Sequence, residues 1–239
     1  MKLHTVTITG ADDSTNVADL VALSREFPFV EWAILVSERN EGSFRFPTRD
    51  WINSFVNAAT ANKVKVATHM CGRWVRNLLI GELDWNLIPL CIQISNRVQI
   101  NTHRNPHHCH PQLLAQLQDW ADFDKRWIFQ FDGVNDLLAA AMHAFGVPVA
   151  ALFDTSGGAG RLPAIWPSST GMPFPCGYSG GLGPDNVLAE LQKIDKVCAP
   201  DAVTWIDMER QVRTPDDSAL DLSNVRRVLE QVALSAWIQ

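Results

Sequence analysis

Eight short runs rich in apolar and β-branched residues recur at even intervals, and this rhythm constrains the fold more than any single motif. They are HTVTITG (4–10), EWAILVS (31–37), VKVATHM (64–70), RVQINT (97–102), RWIFQFD (126–132), VAALFDT (149–155), PCGYSGG (175–181) and AVTWIDM (202–208). Runs of this length and composition read as strands. Between most of them the apolar residues fall at helical spacing: Val17, Leu20, Val21 and Leu23, then Trp51, Ile52, Phe55 and Val56, then Leu113, Leu114 and Leu117. Leu137, Leu138 and Met142 follow, then Val187, Leu188 and Leu191, and last Val225, Val228, Leu229 and Val232. Asp12 to Ser14, Thr48, Pro111, Pro184 with Asp185, and Asp221 mark the expected helix starts. CGRWVRNLLIGE, after the third strand, predicts a short helix. GGAGRLPAIWPSSTGMPFP, after the sixth, is too rich in Gly and Pro for a regular one, so that helix is expected to be reduced or missing.

Strand and helix alternate with no Ser/Gly-rich linker to divide them, which predicts one parallel-stranded α/β domain over 1–239. Eight parallel strands can lie in a doubly wound sheet or close on themselves. A length of 239 residues and the even spacing favour closure into a single (β/α)8 TIM barrel. Trp32, Trp127 and Trp205 in strand runs, with Trp51, Trp120 and Trp237 in helical ones, are assigned to packing between barrel and helix ring.

The hydrophobic fraction of 46% suits a folded domain with a sizeable core, and the formal charge is -6. The basic residues are scattered rather than blocked, which speaks against a nucleic-acid face or an anionic-membrane patch and for a small-molecule partner. Five cysteines at irregular spacings (Cys71, Cys91, Cys109, Cys176, Cys198) make no disulfide framework. No signal-peptide core or bilayer-length apolar run is present, so a cytoplasmic protein, monomeric or homodimeric, is expected.

A barrel of this kind carries its site at the C-terminal ends of the strands. The candidates there are Thr9, Ser37 with Arg45, His69 with Cys71, Asn101 with His103, Asp132, Asp154, Ser179 with Gly180, and Asp207 with Glu209. Two glycine clusters stand out. Gly180 and Gly181 precede Leu182 and Pro184, and glycines at a helix start let backbone N–H groups approach an anion under the helix dipole. Gly157, Gly158 and Gly160 follow Asp154 on the neighbouring strand, and together the two loops suggest a phosphate seat.

FDTSGGAG, YSGGLGPDNV and RVQINT, with the outlines of VTITG and IDMERQVR, resemble the sixth, seventh, fourth, first and eighth strands of phosphoribosylanthranilate isomerases, the small barrels of tryptophan biosynthesis. The resemblance spans nearly the whole chain in order and spacing, and SGGLGPDNV is its strongest piece. It implies an Amadori-type aldose–ketose isomerisation of a phosphorylated substrate without cofactor or metal, in which a general acid protonates the ring oxygen and a general base takes a proton from the neighbouring carbon. The acid falls on Asp154, and Arg45, Gln99 and Asp207 match the pattern as substrate-binding residues. The family's catalytic Cys is Thr9 here, its fourth-strand His is Asn101, and its Ser-Ser-Gly phosphate residues are Glu209, Arg210 and Gln211. An unactivated hydroxyl is no base in water. His69 and Cys71, at the end of the third strand, are therefore the expected replacements. Glu209 would repel a phosphate unless Arg210 or Arg213 offsets it.

Two other readings stay open. With Cys and His both missing from the pattern, the chain can be a non-catalytic barrel that binds a sugar-phosphate-like metabolite. Alternatively THRNPHHCHPQ supplies His103, His107, Cys109 and His110 as metal ligands, with Asp154 and Asp207 completing a metal-assisted hydrolase or lyase.

Overall fold

The eight apolar runs pair side by side in chain order, each parallel to the next, and the last returns to the first to close a barrel, β1-β2-β3-β4-β5-β6-β7-β8. The structure is a computed structural model and describes residues 1–84, 89–102, 125–133 and 135–238. Its strands are β1 Lys2–Thr9, β2 Val30–Val36, β3 Lys65–Met70, β4 Arg97–Ile100, β5 Arg126–Phe131, β6 Val149–Phe153, β7 Cys176–Ser179 and β8 Val203–Met208. The described helices are α1 Val17–Glu26, α2 Arg49–Asn62, α3 Arg73–Leu79, the single turn α4 Cys91–Ile94, α5 Asp136–Ala144, α6 Val187–Val197 and α7 Leu222–Ala233. The helix read over Leu113, Leu114 and Leu117, its start at Pro111, and Trp120 lie outside the described residues.

The helices form where apolar spacing and caps agree. Thr48 accepts from the Trp51 amide at the head of α2, and Asp221 accepts from Ser223 and Asn224 at the head of α7. Helix α7 buries Val225, Val228, Leu229 and Val232, an i, i+3, i+4, i+7 stripe, against the barrel. Three local expectations are corrected. Helix α1 is capped by Asn16, not by Asp12 to Ser14, because Asp12 instead accepts from the Ser14 amide and hydroxyl in a preceding turn. Trp237 lies beyond α7, where its carbonyl accepts from the Leu3 amide. Leu137 sits on the solvent face of α5 while Leu138 and Met142 are buried. No helix connects β6 to β7, as the Gly/Pro content requires.

The main core lies between strands and helices, where Trp32, Trp127, Phe55 and Tyr178 are fully enclosed. A second, small cluster of Ile128, Ala150, Leu152 and Trp205 fills the barrel interior. Trp205 is thus corrected from the helix interface to the inside. It fits because Gly177, its register partner on β7, has no side chain: a Cβ there would lie 2.1 Å from the indole ring. Arg97 covers the ring at 4.6 Å and is itself held by Glu31 and Thr7. No described helix is long and apolar enough to cross a membrane.

Candidate functional site

Parallel register brings the strand-end polar residues to one level. Ser179 pairs with Asp207, and His69 with Gln99, across neighbouring strands. Thr9, His69, Gln99, Gln130, Asp154, Ser179 and Asp207 then line one cavity at the C-terminal mouth. Arg45, Gly158, Gly160, Gly180, Gly181, Leu182, Glu209 and Arg210 form its rim. The free volume is about 80 Å3, room for a few waters. Four buried polar atoms in this lining have no hydrogen-bond partner among the described residues: His69 Nε2, Gln99 Oε1, Gln130 Oε1 and Ser179 Oγ. Buried polar groups cost free energy unless something polar meets them, so the wall is built for a polar occupant.

On one side of the cavity Thr9 donates to Asp207 Oδ1 at 2.9 Å, and His69 Nε2 stands 3.4 Å from Asp207 Oδ2. The Thr9 hydroxyl is thereby committed as a donor. Burial disfavours charge on both partners: it pushes the Asp207 carboxyl up to about 8, with Thr9 and Arg97 pulling the other way, and the His69 imidazole down to about 3. At neutral pH this is a protonated carboxyl beside a neutral imidazole rather than an ion pair.

These shifts fix a pH dependence of stability. The unfolded carboxyl loses its proton near ~3.9 and the unfolded imidazole near ~6.5. Asp207 therefore contributes stability that is lost as pH rises from about 4 to about 8, and His69 contributes stability lost as pH falls from 6.5 to about 3. The slopes oppose each other between pH 4 and 6.5, and above that Asp207 acts alone. Asp207→Asn keeps both contacts without the charge, since its oxygen accepts from Thr9 and its amide donates to His69. Urea titrations at pH 6.5 and 8 should show the wild type losing about 2 kcal/mol relative to this variant; parallel curves would show that Asp207 is not held neutral.

On the other side Asp154, at the end of β6 and buried, accepts from four donors: the Ser156 amide and hydroxyl at 3.2 and 2.8 Å, the Gly158 amide at 2.7 Å and Gln130 Nε2 at 3.4 Å. The glycine loop is wound around this carboxylate, which both caps the loop and lines the cavity.

The rim is closed by charge and by close approach. Arg45 Nη1 donates to Glu209 at 2.6 Å and Nη2 to Asp217, while Arg213, fully buried, holds Asp217 at 2.7 Å and the Gly10 carbonyl at 2.5 Å. Glu209 is thus met by Arg45, not by Arg210, whose guanidinium donates to the Ala159 carbonyl at 3.2 Å. Gly180 sits at φ +115°, where a side chain would be strained, and its missing Cβ leaves room for the Arg161 carbonyl; that of Gly181 leaves room for the Leu162 amide. Asn186 ties the following turn, accepting from the Gly183 amide and donating to the Gly181 carbonyl. Gly157 donates its amide to the Asp154 carbonyl.

Cys71 and Asn101 stand behind this lining. Asn101 donates to Cys71 Sγ at 3.2 Å and accepts from Gln99 at 2.6 Å, and burial pushes the Cys71 thiol up to about 11, away from a thiolate base. Asp132 accepts from Asn135 rather than lining the cavity. Gln130, two residues earlier, takes that place. It escaped the sequence reading, although the alternation of β5 puts residues 128 and 130 on one face. Among the described residues no group of three or more His, Cys, Asp or Glu side chains is placed to hold a metal ion. His103, His107, Cys109 and His110 lie outside them.

No family model matches the chain, and no curated protein matches it. Among solved structures, phospho-2-dehydro-3-deoxyheptonate aldolase from Thermotoga maritima is similar over 98% of this chain and 72% of its own, with a TM-score of 0.58 and 14% identity. TrpF from Jonesia denitrificans is similar over 96% of both chains, at 0.57 and 10%. Phosphoribosyl anthranilate isomerase from Thermotoga maritima is similar over 97% of this chain and 99% of its own, at 0.55 and 13%. At such identities the likeness is one of fold, a TIM barrel of the kind these enzymes use.

Proposed function

We propose that the C-terminal mouth is the active site of an aldose–ketose type isomerase acting on a small anionic sugar derivative, with a phosphoribosyl-amine as the first substrate to test. The observation that carries this reading is the placement of two proton-transfer groups, the Asp207–His69 pair and Asp154, in one cavity whose wall also holds three unpartnered polar atoms, Gln99 Oε1, Gln130 Oε1 and Ser179 Oγ. Asp207 gives its proton to the ring oxygen as the C1–O bond breaks and the nitrogen lone pair forms C1=N. Asp154 then takes the C2 proton, and the C2–H electrons form C1=C2 as the iminium pair returns to nitrogen. Tautomerisation moves a proton from the C2 hydroxyl to C1 and leaves the ketose amine. This reverses the division that the family resemblance implies, because Asp154 meets only donors and is arranged to receive, whereas Asp207 is the group that burial keeps protonated. The neutral His69 restores the proton to Asp207 from solvent or product.

The anionic end goes to Gly158, Gly160, Gly180 and Gly181 with Arg210, all on the same rim. A sugar phosphate needs a pocket of roughly 300 Å3 or more. Binding therefore lifts the Arg161–Leu162 backbone off Gly180 and Gly181. Loss of phosphoribosylanthranilate fluorescence with purified protein is the direct test: turnover above background is expected, and none at high enzyme concentration overturns the claim for this substrate. A second reading is favoured by the Arg45–Glu209 and Arg45–Asp217 ion pairs across the rim, which suit a closed binding protein. Thermal stabilisation by sugar phosphates without turnover of any would select it.

A further inference from the structure

The opposite, N-terminal mouth of the barrel holds a larger cavity, of about 630 Å3. In barrels of this type that face serves stability. Here three consecutive strands open with a cation, Lys65 on β3, Arg97 on β4 and Arg126 on β5, and Arg97 and Arg126 are direct register partners. Lys63, Lys125 and His4 complete the basic lining. Among the described residues Glu31 is its one carboxylate: it is buried, accepts from Thr7 at 3.0 Å and pairs with Arg97. Lys125 is spent on the carbonyls of Ile92, Gln93 and Ser95. Lys63, Lys65 and Arg126 have no ion-pair partner among the described residues.

Such crowding is costly. Side-by-side like charges on neighbouring strands destabilise a sheet. Desolvation, then Lys65 and Arg97, pulls His4 below its ordinary value, and desolvation pulls Lys65 down with Arg97 adding to it and Glu31 opposing. A chain with net charge -6 concentrates positive charge in a concave pocket only against its own stability. The remaining wall is mixed: Val64, Val66, Pro148, Pro175, Val203 and the edge of Trp205 make an apolar part, and Thr5, Asn96 and Thr204 a neutral polar one. The buried Trp205 indole N–H has no acceptor among the described residues. The volume falls in the range of small-molecule sites rather than that of a flat macromolecular face.

We infer that the N-terminal mouth is a second ligand site, distinct from the C-terminal one, for a small organic anion with two or more negative charges, a phosphate ester or a polycarboxylate. Lys63, Lys65 and Arg126 meet the charges, and the apolar part of the wall takes the body of the ligand. Calorimetric titration of the full chain at low salt with pyrophosphate and, separately, with citrate tests it. At least one should bind with a dissociation constant below about 1 mM, and the one that binds more tightly shows whether phosphate or carboxylate is preferred. Lys65→Gln with Arg126→Gln should weaken that binding at least about tenfold. Both residues are exposed and their neutralisation relieves the like-charge crowding, so the double variant should melt at or above the wild-type temperature without ligand. Arg210→Gln, at the other mouth, should leave the binding unchanged. Absence of binding by both anions overturns the inference, as does equal binding by the double variant, or a loss confined to Arg210→Gln, which would move the anion to the C-terminal site.

Discussion

Asp154→Asn should lower turnover by about 10^2- to 10^4-fold, the range expected when a positioned proton-transfer group is removed, and should cost only about 1–3 kcal/mol of stability. The two effects separate because the carboxylate has two jobs. Its oxygens serve two backbone amides, Ser156 and Gly158, and the variant keeps an acceptor for only one of them. The better partner is Gly158, at 2.7 Å. The new amide group then faces Ser156, whose hydroxyl can turn to accept while its backbone amide stays unpaired. Gln130 donates to the same oxygen as Gly158 and so keeps its acceptor. The loop loosens without coming apart. Ser156→Ala is the control, since it removes one donor to Asp154 and loosens the same loop while leaving the carboxylate in place. It should lose less than about tenfold in turnover, within what a single hydrogen bond of about 1 kcal/mol supports. Steady-state kinetics on both, beside the turnover assay of the wild type, decide the matter. Equal losses would make Asp154 a turn residue and nothing more.

How much of this was legible beforehand depends on the range of the interaction. The β/α alternation, the missing helix after β6 and the meeting of Thr9, His69, Asp154 and Asp207 in one cavity follow from local pattern plus one rule of barrel geometry, so they were readable. The partners of Arg45 were not: Glu209 and Asp217 lie 164 and 172 residues away, and only barrel closure between β8 and β1 brings their loops to the loop after β2. Nor could spacing distinguish Gln130 from Asp132, because one residue past a strand end the period-two alternation no longer fixes direction. The state of Cys71 is hidden from the sequence for a different reason. A thiol's reactivity is set by burial, and burial is a property of the packed fold rather than of the residues beside it.

Gly177→Ala should be among the most destabilising single changes outside the candidate site, at about 3 kcal/mol, the upper part of the range for overpacking a filled core. The added carbon would stand 2.1 Å from one indole atom of Trp205, with two more within 2.5 Å. Retreat of the ring toward the N-terminal cavity is opposed by Arg97, which covers it at 4.6 Å and is pinned by Glu31 and Thr7. Moving that guanidinium would disturb a buried ion pair. Trp205→Ala alone should cost about 3–5 kcal/mol, as expected for truncating a large buried aromatic. The two substitutions should not add. In Trp205→Leu with Gly177→Ala, the methyl group at 177 enters space that the smaller side chain vacates, so the double variant should lose at least about 1 kcal/mol less than the sum of Gly177→Ala and Trp205→Leu. Urea denaturation of the singles and the double measures this coupling. Strict additivity would show that Gly177 and Trp205 do not share the barrel interior, and so would a Gly177→Ala variant within about 0.5 kcal/mol of wild type, the spread of substitutions that touch nothing. A coupling of the expected sign would tie the two mouths together physically. Trp205 forms part of the wall of the N-terminal cavity, while Asp207, two residues along β8, lines the C-terminal one, so the packing that seats the indole also sets the strand that presents the carboxyl.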